Sequence, residues 1–287
     1  MSKAKILVQL DTDQQPSLFD SIVAIDAGVE NLLRYHGVNP HNVTELVHGA
    51  IFTRGADDLW RTAMFLGGSD VKVAESVLSQ IRETFFGPLR VSVMVDPAGS
   101  NTTAAAAVLA AGRHVPLEGA TAIVLAATGP VGQRVVRLLA REGALVKVAS
   151  RNLQRAEALC EAIRGTVPEA QLSACAPHDG AQLEQALEGV QVVIAAGAPG
   201  VELLPAEVRE RAKSLQVVID LNAVPPAGLE GVEVIDRGTD RSGVKCYGAI
   251  GVGVTKMRIH KAALQLIFET NDRVLDIDEL FELGRGV

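Results

Sequence analysis

Cysteine is scarce in this sequence, basic charge is not in excess, and long apolar runs are missing; each shortage excludes something. Three cysteines, Cys160, Cys175 and Cys246, are scattered along 287 residues. None belongs to a CxxC pair and no histidine stands at metal-finger spacing, so reduced thiols inside the cell are predicted instead of a disulfide framework or a zinc site. Lys and Arg total 27 against 34 Asp and Glu, a formal net charge of -7. That balance speaks against a general nucleic-acid surface but leaves room for a local basic pocket. The first apolar run, Ile6–Leu10, is halted by Asp11 and reads as a strand, not a signal peptide. The alanine-rich run from Thr102 to Ala111 has about half the length a bilayer needs. Among the six histidines there is neither an HExxH metal motif nor the Ser/His/Asp order of covalent hydrolysis. A soluble, cytoplasmic protein is expected, with no metal, membrane or nucleic-acid partner.

What is present is an α/β pattern. With 48% hydrophobic residues, the chain can fill one large unit or two modest domains. Strands are predicted at Ile6–Leu10, within "TAMFLGG" and within "LRVSVMVDP". A helix beginning near Ser17 carries apolar Leu18, Ile22, Ile25 and Val29 at helical spacing. Another covers "NVTELVHGAIF", with Asn42 as cap and Glu45 placed for a capping box. A third runs from about Asp70 to Phe85, and "SNTTAAAAVLAAG" forms a fourth.

After a link at Arg113–Gly119 the alternation sharpens, with strands at Ala120–Ala126, Leu145–Ala149, Gln171–Cys175, Val190–Ala195, Leu215–Leu221 and Val232–Asp236, and helices between them. The C-terminal segment reads as two helices with no intervening strand, which need a sheet elsewhere to cover. The expected division is therefore residues 1–112 plus 254–287 around a central 113–253, with a hinge near Gly248, Gly251 and Gly253 and a site in the interdomain groove.

The stretch "TAIVLAATGPVGQRVVRLLAREGALVKVASRN" (121–152) reads as strand, turn, helix and strand. A dinucleotide turn uses one glycine to turn tightly, a second to admit the pyrophosphate and a third to let helix and strand touch. Here those places hold Ala127, Gly129 and Gly132. The first tolerates alanine if its torsion stays ordinary. Amides of the helix start, reached through Thr128, Gly129, Val131 and Gly132, would face a diphosphate, and Pro130 stands where a missing N–H does no harm. A turn without ligand is the plain alternative. After the second strand, the acid that would bind the ribose diol of NAD is absent; Ser150, Arg151 and Asn152 stand there, with Arg155 one turn later. Arg151 offers a fork of donors to a 2'-phosphate, which makes NADP the first choice and leaves NAD open. Ala196, Gly197 and Asn222 end later strands, where they would border the nicotinamide; Asn222 either binds the carboxamide or caps its loop.

Two polar clusters, "DTDQQPSLFD" and "DPAGSNTTAAA", mark strand ends in the first domain. Asp11, Asp13, Asp20, Asp96, Ser100, Asn101, Thr102 and Thr103 would line a substrate wall there, or serve as caps. "FTRG" and "FLGG" would supply an edge. Lys256 points toward an acidic or carbonyl-bearing substrate, while His260 and Lys261 read as a solvated basic face.

These stretches, with "AGAPGVELLP", "LNAVPPAG", "YGAIGVGVTKMRIHKA" and "DIDELFEL", carry a resemblance over essentially the whole chain. The sequence resembles bacterial NAD(P)-dependent methylene-tetrahydromethanopterin dehydrogenases of the MtdA/MtdB type. The resemblance implies a Rossmann-type NAD(P)-binding domain plus a second α/β domain completed by the C-terminal helices. It implies oxidation of the methylene bridge of a reduced pterin to methenyl by NADP or NAD, within formaldehyde oxidation and one-carbon metabolism. Methylene-tetrahydrofolate is a further substrate in some members, and a homo-oligomer, a trimer, is the implied assembly. The family's "GTGPVG" is "ATGPVG" here; its arginine matches Arg151 and its hinge lysine matches Lys256, which would contact the pterin.

Hydride departure leaves a cation stabilised by two nitrogens, so no general base is needed. The protein must hold the reacting carbons at roughly 3–3.5 Å in a dry site. Asp20 is the candidate carboxylate for the developing charge. A methylene-tetrahydrofolate dehydrogenase and a non-catalytic NADP-binding subunit are the competing readings.

Overall fold

The computed structural model of the protein describes residues 3–287. The chain divides into two compact units, Met1–Thr102 with Met257–Val287, and Thr103–Lys256.

The first unit opens with β1 (Ile6–Asp11), α1 (Leu18–Asp26), β2 (Asn31–Tyr35), α2 (Val43–Phe52), a short 3-10 turn at Ala56–Arg61, β3 (Thr62–Gly67), α3 (Val71–Thr84) and β4 (Ser92–Val95). The helix α4 (Ser100–Gly112) then leads into the second unit. There follow β5 (Thr121–Leu125), α5 (Pro130–Arg141), β6 (Leu145–Ala149), α6 (Leu153–Arg164), β7 (Gln171–Cys175), α7 (Gly180–Ala186), β8 (Val192–Ala195), α8 (Ala206–Arg211), β9 (Val217–Asp220), β10 (Arg237–Arg241) and β11 (Val244–Tyr247). The helix α9 (Ala249–Leu266) returns to the first unit, which β12 (Val274–Leu275) and α10 (Ile277–Gly284) complete.

The first sheet is parallel throughout, in the order β12-β4-β3-β1-β2. Its central strands are buried along their whole length, which explains their unbroken apolar sequences. Val8, Leu10, Met64, Leu66 and Val93 meet Val47 and Ile51 of α2 and Val77 and Ile81 of α3 in one core. The second sheet runs β10-β11-β9-β8-β5-β6-β7, parallel except for the β10–β11 hairpin. Its strand order reverses at β5 and β8, the place where an open α/β sheet binds ligands beyond its strand ends. Among the described residues no helix is long and apolar enough to cross a membrane.

Caps fix many helix starts. Ser17, Asp70, Asn152 and Asp179 each accept a backbone N–H of the first turn, and Asp276 with Glu279 forms a capping box on α10.

Several expectations are corrected. Asn42 makes no cap bond; its side chain accepts from Asn39 N and donates to Gly37 O, closing the preceding loop instead. The apolar stripe of α1 faces outward, with Leu18, Ile22 and Ile25 at 67%, 54% and 55% exposure. The small Ser21 and Ala24 and the slim Val23 face inward, and Ser21 Oγ donates to the buried Gln9 Oε1 at 2.8 Å. Residues 232–236 form a turn, and the hairpin begins at Arg237. A strand, β12, does separate the last two helices, extending the first sheet beside β4. The unit boundaries fall inside α4 and α9, whereas the sequence put them at 112/113 and 253/254. Segment 113–119 belongs to the second unit, with Val115 and Leu117 buried.

Two of the three hinge glycines are helical, and Gly248 immediately precedes the helix. Gly251 and Gly253 lie within α9, and a Cβ on Gly251 would collide with Asp236 O, as one on Gly248 would with Glu233 O. Gly248 and Gly251 thus permit close approach of the start of α9 to the 233–237 turn, which is a steric role and not torsional freedom.

Asp236 holds that turn. It is buried and accepts from Arg241 Nε at 2.8 Å, Arg241 Nη2 at 2.9 Å and Glu233 N at 2.9 Å. Burial pushes its carboxyl up, but the Arg241 guanidinium and the Glu233 amide outweigh that and hold it below the ordinary value. A depressed folded pKa contributes stability that is present above the unfolded carboxylate pKa and is lost as pH falls through the folded one. Asp236→Asn is therefore expected to cost about 2 kcal/mol at pH 7 and less at acid pH, where the wild-type pair also weakens. Urea denaturation at pH 7 and near pH 3 checks this; an equal cost at both would contradict the ion-pair assignment.

Candidate active site

The second unit holds a cavity of about 880 Å³ at the carboxyl ends of β5, β6 and β8. Leu125, Ala126, Thr128 and Gly129 line it from the turn after β5; Ser150, Arg151, Asn152 and Arg155 from the turn after β6; and Ala196, Gly197 and Ala198 from the end of β8. Eight of the predicted cofactor residues thus share one wall system: Thr128, Gly129, Ser150, Arg151, Asn152, Arg155, Ala196 and Gly197. Pro130, Val131 and Gly132 stand behind the wall in the first turn of α5.

The turn has the geometry a dinucleotide needs. Ala127 is buried, donates its N–H to Ala149 O at 2.9 Å, and leaves the positive φ of the turn to Ala126 (φ 55). The alanine in the first glycine place is thereby accommodated. Gly132 presses on the strand end, where an added Cβ would lie 2.7 Å from Ala127 O and 2.8 Å from Ala127 C. Gly129 differs: its Cβ would meet only Ala126 O at 3.7 Å and Ala196 O at 3.8 Å. That room is what a close-approaching diphosphate would take up.

At the end of β6 no carboxylate is present. Thr128 Oγ1 and Ser150 Oγ are 3.4 Å apart, and Arg151 and Arg155 are exposed at the cavity edge. Asn152 caps α6 by accepting from Arg155 N at 2.9 Å. Sequence reasoning missed the opposite rim, Pro177, His178 and Asp179 after β7 and Val201–Leu203 after β8. The turn residues flanking "PHDG" and "APGVELLP" were the available signal.

Asn222 does not reach the cavity. Its Oδ1 accepts from Val224 N, and its Nδ2 donates to Val224 O and Pro226 O, both at 2.9 Å, so it is the loop cap of the two alternatives. Asp220, just before it, is buried and accepts from Asn222 N and Leu229 N. Burial pushes its carboxyl up, against the opposing pull of those amides.

In the first unit several residues of the predicted substrate wall hydrogen-bond within the unit. Asp96 is fully enclosed; its Oδ1 accepts from Asn101 N at 2.9 Å and Thr102 N at 3.1 Å, and its Oδ2 from Thr102 Oγ1 at 2.6 Å. Asn101 Nδ2 donates to Val95 O and Asp276 Oδ1. The Asn101 and Thr102 amides and the Thr102 hydroxyl thus join Asp96 at the start of α4, and Thr103, next in the chain, is half-buried. Asp13 accepts from Ser69 N at 3.0 Å and Ser69 Oγ at 2.7 Å, tying the ends of β1 and β3. Arg54 of "FTRG" donates to Arg61 O and Ala4 O and is an anchor.

His260 is the main reversal. It is fully buried, not solvated, with Nδ1 3.5 Å from Asp96 Oδ2 and Nε2 4.0 Å from Asp20 Oδ1. Phe65 stacks on its ring at 5.5 Å between centroids, and Phe19 meets it edge-on at 6.4 Å. Asp20, in the first turn of α1, is the partly exposed end of this trio, with 15% of its side chain accessible. Lys256 lies one helical turn before His260 on α9 and is half-buried.

The sequence can be set beside known proteins. It is 41% identical over 289 residues to the "Bifunctional protein MdtA" of Methylorubrum extorquens, covering 99% of each chain. The chain belongs to the methylene-tetrahydromethanopterin dehydrogenase family. A second relative from Methylorubrum extorquens, an "NAD(P)-dependent methylenetetrahydromethanopterin dehydrogenase", is 31% identical over 300 residues, 97% of each chain. The family profile "Methylene-tetrahydromethanopterin dehydrogenase, N-terminal" matches residues 18–98, inside the first unit. Among solved structures, the shikimate 5-dehydrogenase of Listeria monocytogenes, in complex with shikimate and NAD, gives a TM-score of 0.58 at 14% identity, covering 98% of this chain and 96% of its own. The quinate dehydrogenase of Corynebacterium glutamicum gives 0.52 at 15% identity, covering 99% of both. These two likenesses concern the fold alone: this chain has two α/β sheet regions that resemble the Rossmann-type folds of those dehydrogenases.

Proposed function

We propose that the protein is an NAD(P)-dependent dehydrogenase that takes a hydride from the methylene group of methylene-tetrahydromethanopterin and leaves the methenyl product, with NADP the preferred acceptor. The activity rests on membership of the family; the NADP preference rests on the cavity at the β5/β8 switch point, whose β6 end presents Ser150 and Arg151 and no carboxylate. When bound, the oxidised nicotinamide supplies the hydride acceptor. The chain's own residues do the holding. Amides at Val131 and Gly132, with Thr128 beside them and Gly129 leaving room at the turn, would face the diphosphate, and Arg151, with Ser150, Asn152 and Arg155 around it, would take the 2'-phosphate. Ala196 and Gly197 leave space for a flat ring.

On the substrate side, Asp20 sets a negative charge near the cation that develops at the methylene carbon. Lys256 orients the carbonyl edge of the pterin and stays clear of that carbon, since a positive charge there would oppose the reaction. Asp13, Asn101 and Thr102 support the substrate side through their own hydrogen bonds, with Thr103 following Thr102 in the chain.

An absorbance assay crossing methylene-tetrahydromethanopterin and methylene-tetrahydrofolate with NADP and NAD tests the reading. Turnover fastest with the first carrier and NADP is expected; tetrahydrofolate as the better substrate would replace the carrier assignment. NADP binding without turnover on either carrier would make the chain a binding subunit. Lys256→Ala is expected to raise the KM for the pterin at least tenfold, and unchanged KM and kcat would remove Lys256 from the site. A cytoplasmic location and a homo-oligomer, a trimer, belong to the same proposal. The exposed Leu18, Ile22 and Ile25 of α1 and Leu33 and Tyr35 of the edge strand β2 support association. Sedimentation at micromolar concentration measures the assembly, and a monomer there would refute it.

A further inference from the structure

A fully buried histidine between two carboxylates is a poor way to stabilise a core. Burying His260 and Asp96 carries a desolvation cost that an apolar side chain lodged between Phe65 and Phe19 would reduce. Yet both ring nitrogens of His260 face acids, Asp96 on one side and Asp20 on the other. A neutral imidazole carries a proton on one nitrogen and a lone pair on the other, so it would turn that lone pair toward a carboxylate; only the imidazolium attracts both. Asp96 is already fixed by two amides and the Thr102 hydroxyl at the start of α4. It is the rigid end of the row, and Asp20, alone of the three, reaches the surface.

We infer that His260 is a positioning residue for the dehydrogenation: held as a cation by the buried Asp96, it fixes the carboxylate of Asp20 where the positive charge develops. The inference rests on the assignment of Asp20 under the proposed function. Hydride transfer moves no proton, so the row is not a relay. Its formal charge, two carboxylates and one imidazolium, stays at about minus one through the cycle, a pre-set field that need not reorganise as the cation forms. Distances of 3.5 and 4.0 Å make the hold electrostatic and not a hydrogen bond.

A double-mutant cycle on the full-length protein tests this, with Asp20→Asn, His260→Gln and the pair, assayed for kcat, for KM of both substrates and for thermal melting. Asp20→Asn is expected to lower kcat by about thirtyfold or more, and His260→Gln by about tenfold with KM for NADP unchanged. The double variant should be no slower than Asp20→Asn within about twofold, because His260 acts through Asp20. Multiplying losses, or a His260→Gln enzyme with full kcat, would overturn the inference. Should His260→Gln not fold, Asp96→Asn carries the same cycle, since it keeps an oxygen for the Asn101 and Thr102 amides while removing the charge facing Nδ1. A loss of kcat in Asp96→Asn that persists undiminished in the Asp20→Asn background would equally refute it. If Asp20→Asn alone keeps full turnover, the assignment of Asp20 has failed; if it loses turnover and the cycle is additive, only the role of His260 has.

Discussion

Arg151→Asp is expected to raise the KM for NADP by about a hundredfold or more while changing the KM for NAD by less than about threefold. The two cofactors differ only by the 2'-phosphate, and Arg151 is exposed at the rim of the cavity, at the end of β6 where that phosphate would lie. A charge-assisted fork to a phosphate contributes about 2–3 kcal/mol, and a carboxylate in its place adds roughly 1 kcal/mol of repulsion in a solvated site. The sum, about 3–4 kcal/mol, corresponds to a factor of roughly a hundred to a thousand. Because the contact is exposed, the wild-type preference for NADP should also shrink between low and high salt, and the variant's should not. Initial rates against each cofactor at two ionic strengths measure both effects. Equal losses with NADP and NAD would show that Arg151 supports the turn after β6 instead of reading the phosphate.

The position of Arg151 at the cavity rim was legible in the sequence because everything it depends on is local. A buried parallel strand writes itself as an apolar run, the turn follows at once, and the side chains after β6 sit beside it whatever the rest of the chain does. The strands β5 and β6, the helices α5 and α6 and the turn between them are all found close to where the sequence places them. Elements without such a run were not legible. The edge strand β2 is almost wholly exposed, so "NLLRY" shows no buried face. The strand β12 has two residues and exists only because β4 offers it an edge. The hairpin β10–β11 is polar on its outer strand and held by a β-bulge and the Asp236–Arg241 pair.

The candidate site divides in the same way. Asn101 and Thr102 looked like substrate ligands because small polar residues at a strand end serve capping and recognition alike. In the folded chain they bond Asp96, Val95 and Asp276, partners that no sequence spacing pairs with them. The trio of Asp20, Asp96 and His260 joins three distant segments, and no spacing announces it. The one hint lay on α9, where Ile259, Ala263 and Leu264 are buried around His260. A histidine flanked by apolar residues on both sides of a helix belongs to its inner face, whatever the charge of the neighbouring Lys261.

Gly132→Ala is expected to reverse the usual sign of a helix substitution. Within a helix, replacing glycine by alanine ordinarily stabilises by about 0.5–1 kcal/mol. Gly253 should follow that rule, since a Cβ there meets nothing within 4 Å. Gly253→Ala should therefore raise the melting temperature and leave both cofactor KM values within about twofold; a loss of turnover would restore the hinge that the continuous α9 argues against. At Gly132 the added Cβ falls 2.7 Å from Ala127 O and 2.8 Å from Ala127 Cα, and both are backbone, with no flexible side chain to yield. The start of α5 must lift off the end of β5, at a cost of about 1–3 kcal/mol, and it carries with it the amides that would face a diphosphate. NADP and NAD should lose affinity together, by about tenfold or more, in contrast to the one-sided loss at Arg151. Gly129→Ala separates the two consequences. Its Cβ has 3.7 Å of room, so the melting temperature of the ligand-free protein should hold while cofactor affinity falls. Titration calorimetry with each nucleotide, alongside thermal melts of all three variants, distinguishes a glycine kept for the helix–strand contact from one kept for the ligand. Were Gly129→Ala to bind NADP as tightly as the wild type, the diphosphate would have to lie elsewhere than at this turn.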